Sequence, residues 1–157
     1  MAKKARVYDG TAWQELASAQ TDLTAYSTTA QMNTAITAAL PTWISYTPTV
    51  TSTAGAITSY TVNTARYSEL GKVVFLMFDI TVSNNGTGSS SLNITLPSGK
   101  NARDFNHHGS GRELLLSGSM LSIYNNTATN LRVHTYNNAY PVNTGARICG
   151  SFVYELV

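Results

Sequence analysis

Lys72-Val73-Val74-Phe75-Leu76-Met77-Phe78-Asp79-Ile80-Thr81-Val82 reads as a β-strand and sets the architecture expected for the rest of the chain. Val74, Leu76, Phe78, Ile80 and Val82 fall on one face and Val73, Phe75 and Met77 on the other. Side chains alternate between the faces of a strand, so a run that is apolar on both faces in its first half predicts a central strand covered on two sides.

Working outward from this strand, similar short runs recur between turn residues. Leu70-Gly71-Lys72 is a turn, and before it Ile57–Glu69 reads as a strand with Tyr60 and Val62 on one face. Trp43–Val50 is a first strand region interrupted by Pro48, and such a proline predicts an edge or a bulge because it cannot donate to a ladder. On the other side, Asn84–Ser91 is a loop of Asn, Gly, Thr and Ser. Leu92, Ile94 and Leu96 alternate with polar residues up to Pro97. Glu113–Ile123, Leu131–Tyr136 and Ala146–Val157 complete the set. Short strands at close spacing, with no helix-period segment among them, predict a mainly β domain over 42–157, an antiparallel, jelly-roll-like β-sandwich.

The character of the chain changes at Pro41. Ala25, Thr29, Met32, Ile36 and Ala39 recur at spacings of four and three, which predicts a short helix with one apolar seam, started by Asp22 or Ser27 and ended by Pro41. Helices below ~12–15 residues are marginal in water, so this one either pairs with copies of itself or lies on the β domain; self-association into a trimeric stem, residues 25–41, is the reading carried forward. Residues 1–24 hold a hairpin and a linker. Val7 and Tyr8 lead into Asp9-Gly10, a preferred pair for a tight turn, and Thr11, Ala12 and Trp13 return. A lone hairpin is barely stable, so Val7, Tyr8 and Trp13 either dock on a partner or fold back on their own domain.

Composition narrows the function classes. Only 11% of the 157 residues are Asp, Glu, Lys or Arg, against about 25% in average globular proteins. The surface is therefore hydroxyl- and amide-rich. A net charge of +2 argues against strong non-specific attraction to nucleic acid or acidic membranes. No apolar run approaches the ~18 residues of a membrane span, and no apolar stretch follows Met1–Arg6 as in a secretory signal. The expectation is a protein made in a cytoplasm, with neither nucleic acid nor membrane insertion among its partners. The single Cys149 lies in an apolar strand pattern and reads as a buried, inert thiol.

Catalytic patterns are missing. The carboxylates Glu69, Asp79, Asp104, Glu113 and Glu155 form no facing pair by spacing, and there is no Gly-x-Ser-x-Gly elbow and no P-loop. The expectation is a protein that is not an enzyme and holds no cofactor or metal. His107-His108 reads as a loop pair that cannot chelate one ion within a chain; in a trimer, three copies of one histidine on the axis are the alternative. Tyr124-Asn125-Asn126, Tyr136-Asn137-Asn138 and Tyr140 read either as turn residues or as glycan contacts, in which Tyr124, Tyr136 and Tyr140 supply stacking and the amides paired hydrogen bonds.

Several of these segments resemble tailed-bacteriophage virion surface proteins. Val7-Tyr8-Asp9-Gly10-Thr11-Ala12-Trp13 resembles a short attachment repeat, and Trp43-Ile44-Ser45-Tyr46-Thr47-Pro48-Thr49-Val50 resembles the first strand of the β head in fibre-like proteins. Tyr67–Val73, the Leu96-Pro97 strand end and Gly150–Tyr154 are similar to parts of the same heads. The resemblance implies a homotrimer with its N-terminal segment on a phage capsid or tail protein, the helix as stem and the β head outward on the particle. The short stem favours a capsid decoration protein or head fibre. The alternative is a tail-associated protein that binds a host receptor or surface carbohydrate during adsorption.

Overall fold

The computed structural model describes residues 6–15, 28–105 and 107–157, and the chain divides into two units, Met1–Leu40 and Pro41–Val157.

In the first unit, β1 (Arg6–Tyr8) pairs antiparallel with β2 (Trp13–Glu15). The connection is a four-residue loop, Asp9–Ala12, and not the two-residue turn expected at Asp9-Gly10. The reason is local: Asp9 Oδ1 accepts from Thr11 N–H, Thr11 Oγ1 and Ala12 N–H at 2.8–2.9 Å, so its side chain organises a wider loop. Helix α1 runs Thr29–Ala39. Its N-cap is Thr28, whose hydroxyl accepts from Gln31 N–H while Gln31 Oε1 accepts from Thr28 N–H, a complete capping box. The expected caps Asp22 and Ser27, and the seam residue Ala25, lie outside the described residues. Leu40 ends the helix in an extended conformation, as a residue before proline must.

The second unit is mainly β. Nine strands form one large, curled, all-antiparallel sheet: β3 (Ile44–Ser45), β4 (Val50–Ala54), β5 (Ser59–Leu70), β6 (Val73–Asn84), β7 (Ser89–Thr95), β8 (His108–Glu113), β9 (Met120–Thr127), β10 (Asn130–Thr135) and β11 (Arg147–Glu155), in the order β3-β5-β6-β11-β8-β9-β10-β7-β4. The consecutive strands β3 and β4 occupy opposite edges. Tyr46–Thr49, with Pro48 buried, carries the chain from one edge to the other, which is how the Trp43–Val50 region comes to be two short edge strands.

The curl turns one face of the whole sheet onto a single core. Val74, Leu76, Phe78, Ile80 and Val82 of β6 meet Leu92 and Ile94 of β7, Leu121 and Ile123 of β9, Leu131 and Val133 of β10, and Ile148, Phe152 and Tyr154 of β11. Gly150 shares that inner face. A Cβ there would collide with the Ile123 and Phe78 side chains, so glycine is what lets these residues close over β11.

Two strand assignments differ from expectation. His108–Glu113 is a strand and not a histidine loop, and Glu113–Ile123 is not continuous: Leu114–Ser119 forms a loop between β8 and β9. Gly109 and Gly111 explain the first difference. Each lies so close to the β11 backbone that a side chain would strike the Ser151 or Cys149 carbonyl. The second difference is explained by Glu113, described below.

Candidate functional site

The antiparallel ladder gives the sheet two distinct ends. Pro41, the turn at Gly71, residues 96–105 and the C-terminus share one end, tied by Leu156 N–H to Lys72 O, Arg103 N–H to Glu155 O and Ala102 N–H to Ala128 O. The β4–β5, β6–β7, β8–β9 and β10–β11 loops share the other, tied by Thr58 N–H to Asn84 O, Gly145 N–H to Val82 O and Leu114 N–H to Arg147 O. Pro41, the first residue of the second unit, thus lies at the end away from the loops.

Among the described residues, the exposed apolar side chains include three sets apart from those in the loops. In the hairpin, Tyr8 and Trp13 are direct cross-strand partners with ring centroids 5.4 Å apart, and Trp13 is 66% exposed. Val7 is exposed as well. In α1, Thr29, Met32 and Ile36 share one side by helix geometry and all three are exposed, Ile36 at 59%.

The third set is on the outer face of the sheet. Val73 and Phe75 on β6 are exposed, Phe75 at 41%, and Phe75 pairs across the ladder with exposed Val153 on β11. Next to them lies a groove of about 550 Å³, floored by Ser110 and Ser151 and flanked by Met77, Met120, Arg66 and Arg112. Arg66 rests over the Trp43 ring at 4.8 Å. Cys149 is on this outer face, half-exposed beside Asp79 and Arg112, and so is not the buried thiol expected from its strand pattern. Burial and the adjacent Asp79 carboxylate push its thiol up. Asp79 is itself held down to about 2, first by the Arg147 guanidinium, which bonds both its oxygens at 2.9 and 2.6 Å.

The loop end is organised by one carboxylate. Glu113 is 1% exposed. Its oxygens accept from the backbone N–H of Leu115, Leu116, Ser117, Gly118 and Arg147 at distances up to 3.2 Å. Burial alone would raise its pKa, but these donors outweigh it and hold the carboxyl down to about 2 from an ordinary 4.5. The loop folds around this ion and leaves Leu114, Leu115 and Leu116 exposed. A Leu-Leu-Leu run followed by Ser117-Gly118 was the available signal: a turn pair inside an apolar run.

Beside Glu113 is a cavity of about 230 Å³ between the β8–β9 and β10–β11 loops. Ser117, Ser119, Thr135, Asn137 and Asn143 supply its polar wall, Leu116 and Pro141 part of its apolar wall. Thr135 Oγ1 bonds Asn137 Oδ1 and Ala139 O, which fixes the first turn of the β10–β11 loop.

The three tyrosines expected to act together do not form one site. Tyr136 and Tyr140 share the β10–β11 loop. Tyr136 is 77% exposed, but Tyr140 lines the cavity and donates its hydroxyl to Asn85 Oδ1 at 2.7 Å, and burial raises it to about 12. Tyr124 is on the outer face of β9, stacked on His134 at 5.8 Å with His108 tilted against it at 6.4 Å. His107 and His108 diverge as adjacent strand residues do: His107 Nε2 accepts from Glu155 N–H at 3.0 Å, and His108 faces outward. Among the described residues no group of three or more His, Cys, Asp or Glu side chains gathers as a metal site, and no helix is long and apolar enough to cross a membrane.

Comparison with known proteins finds no matching family model, no matching curated protein and no matching solved structure.

Proposed function

We propose that the chain is a structural virion protein of a tailed phage, a homotrimer fixed to the particle by its N-terminal segment with the β head outward, as a capsid decoration protein or head fibre. The observation that carries this reading is the apolar surface left outside on the hairpin, on the helix and on the central strands of the sheet. Exposed apolar patches of this kind mark interaction surfaces. In this reading Met32 and Ile36 line the stem, and Val73, Phe75 and Val153 are covered by neighbouring copies in the head. The methionine-flanked groove beside them adapts to a partner's side chains. Threefold symmetry comes from the resemblance of the chain to phage fibre-like proteins.

Val7, Tyr8 and Trp13 are the docking residues, and three copies multiply a weak attachment by avidity. Particles assembled from a genome carrying W13A test this. The expected result is particles that lack the protein after sedimentation while the soluble variant keeps the circular dichroism and melting temperature of its head. Undiminished W13A protein on the particles would overturn the docking role.

A second reading, a tail-associated protein that binds carbohydrate on a host surface, is favoured by one observation: the polar cavity sits at the end of the head away from Pro41, where an anchored protein meets the outside.

A further inference from the structure

We infer that the cavity between the β8–β9 and β10–β11 loops is a binding site for a single neutral sugar ring, the exposed end of a glycan. The inference deepens the carbohydrate-binding reading and rests on it.

Size comes first. Ligand pockets for drug-sized molecules run from ~300 Å³ upward, and at about 230 Å³ this one has room for one ring and not for an oligosaccharide lying along it. The chemistry of the walls comes second. A sugar hydroxyl donates one hydrogen bond and accepts others, and amides and hydroxyls match it on both counts. Among the described residues the Asn143 side-chain amide and the Ser119 hydroxyl take no hydrogen-bond partner, and Asn137 uses Oδ1 on Thr135 while its amide N–H groups stay available. Leu116, Ala139 and Pro141 supply the apolar patch that a sugar's C–H face requires.

Charge comes third. No Lys or Arg lines the cavity, and the one ionised group that does is the Glu113 carboxylate. An acidic sugar would meet that negative charge with no cation to offset it, so the site selects neutral rings. Finally, the site is built in advance. The loop carrying Leu116, Ser117 and Ser119 is held by the hydrogen bonds to Glu113, and the loop carrying Asn137 by Thr135, so little ordering is left for the ligand to impose.

The test is saturation-transfer NMR on the full-length chain with glucose, galactose, mannose, rhamnose and N-acetylglucosamine, and with glucuronic and N-acetylneuraminic acids as the acidic arm. The expected result is transfer to at least one neutral sugar with a dissociation constant of about 1 mM, no transfer to the acids, and at least about tenfold weaker binding by N137A/N143A. Both asparagines are exposed, and when Asn137 Oδ1 is lost Thr135 Oγ1 still holds the turn through Ala139 O and Ala139 N–H, so the double variant should keep the wild-type melting curve and solution mass. Absence of transfer to every neutral sugar overturns the inference, as does transfer to the acids alone. Undiminished binding by the folded double variant overturns this site while leaving carbohydrate binding elsewhere on the head standing.

Discussion

Glu113 shows how a single side chain can decide a local fold against the pattern around it. From its neighbours, Glu113–Ile123 is an apolar strand; in the structure the carboxylate collects the N–H groups of the next residues and turns the chain into a loop. A strand would strand that charge in the core, whereas the loop gives it donors on both oxygens. Hydrogen bonds to charged groups are worth roughly 1.5–3 kcal/mol, so E113Q should lower unfolding stability by about that much at pH 7 in chemical denaturation. The pH dependence has a definite sign. The carboxyl is held at about 2 in the folded chain against an ordinary 4.5, so its contribution is complete above about 4.5 and is lost as the pH falls toward 2. The gap between wild type and E113Q should therefore narrow over that interval; a gap independent of pH would show that Glu113 acts through packing. In the Asp79–Arg147 pair the carboxyl is likewise held low and the guanidinium is pushed up by its partner, but the pair is partly exposed, with side chains 20% and 41% accessible, and such pairs contribute little to stability.

At the scale of elements, β6 and its partner β11 carry the account. The apolar pattern of 72–82 was legible as a strand and as central in a sheet, and β6 does pair on both sides, with β5 and β11. Periodicity could not say what covers the second face, because Val73 and Phe75 point outward in the single chain. If a neighbouring copy covers them, F75S/V153S should reduce the solution mass of the assembled protein while leaving the circular dichroism of the head unchanged. Mass unchanged in the folded variant would place the seam elsewhere. Where the Glu113 loop and the Asp9 loop have local causes, other details of the sheet depend on contacts distant in sequence. The His107-His108 segment reads as a loop, whereas His108 opens β8, whose Gly109 and Gly111 pack closely on β11, and Trp43–Val50 reads as an edge region broken by Pro48 without showing that its two halves lie on opposite edges of the sheet. Of the residues singled out in advance, Tyr8 and Trp13 are brought together by cross-strand pairing, while Tyr124 lies mid-strand opposite Arg132 and Tyr136 and Tyr140 lie beyond the end of β10, a separation only the register reveals.

At the scale of the whole molecule, the sheet has a polarity that composition does not reveal: Pro41 and the C-terminus at one end, and a preorganised set of loops with a small polar cavity at the other. Exposed apolar surface on the hairpin, on α1 and on the outer face of β6 and β11 is what the proposed assembly would cover. That is the central claim, and light scattering of the purified full-length chain tests it most directly. The predicted mass is three times the 16.9 kDa of one chain, stable on dilution; a protein of one chain mass at every concentration would contradict it.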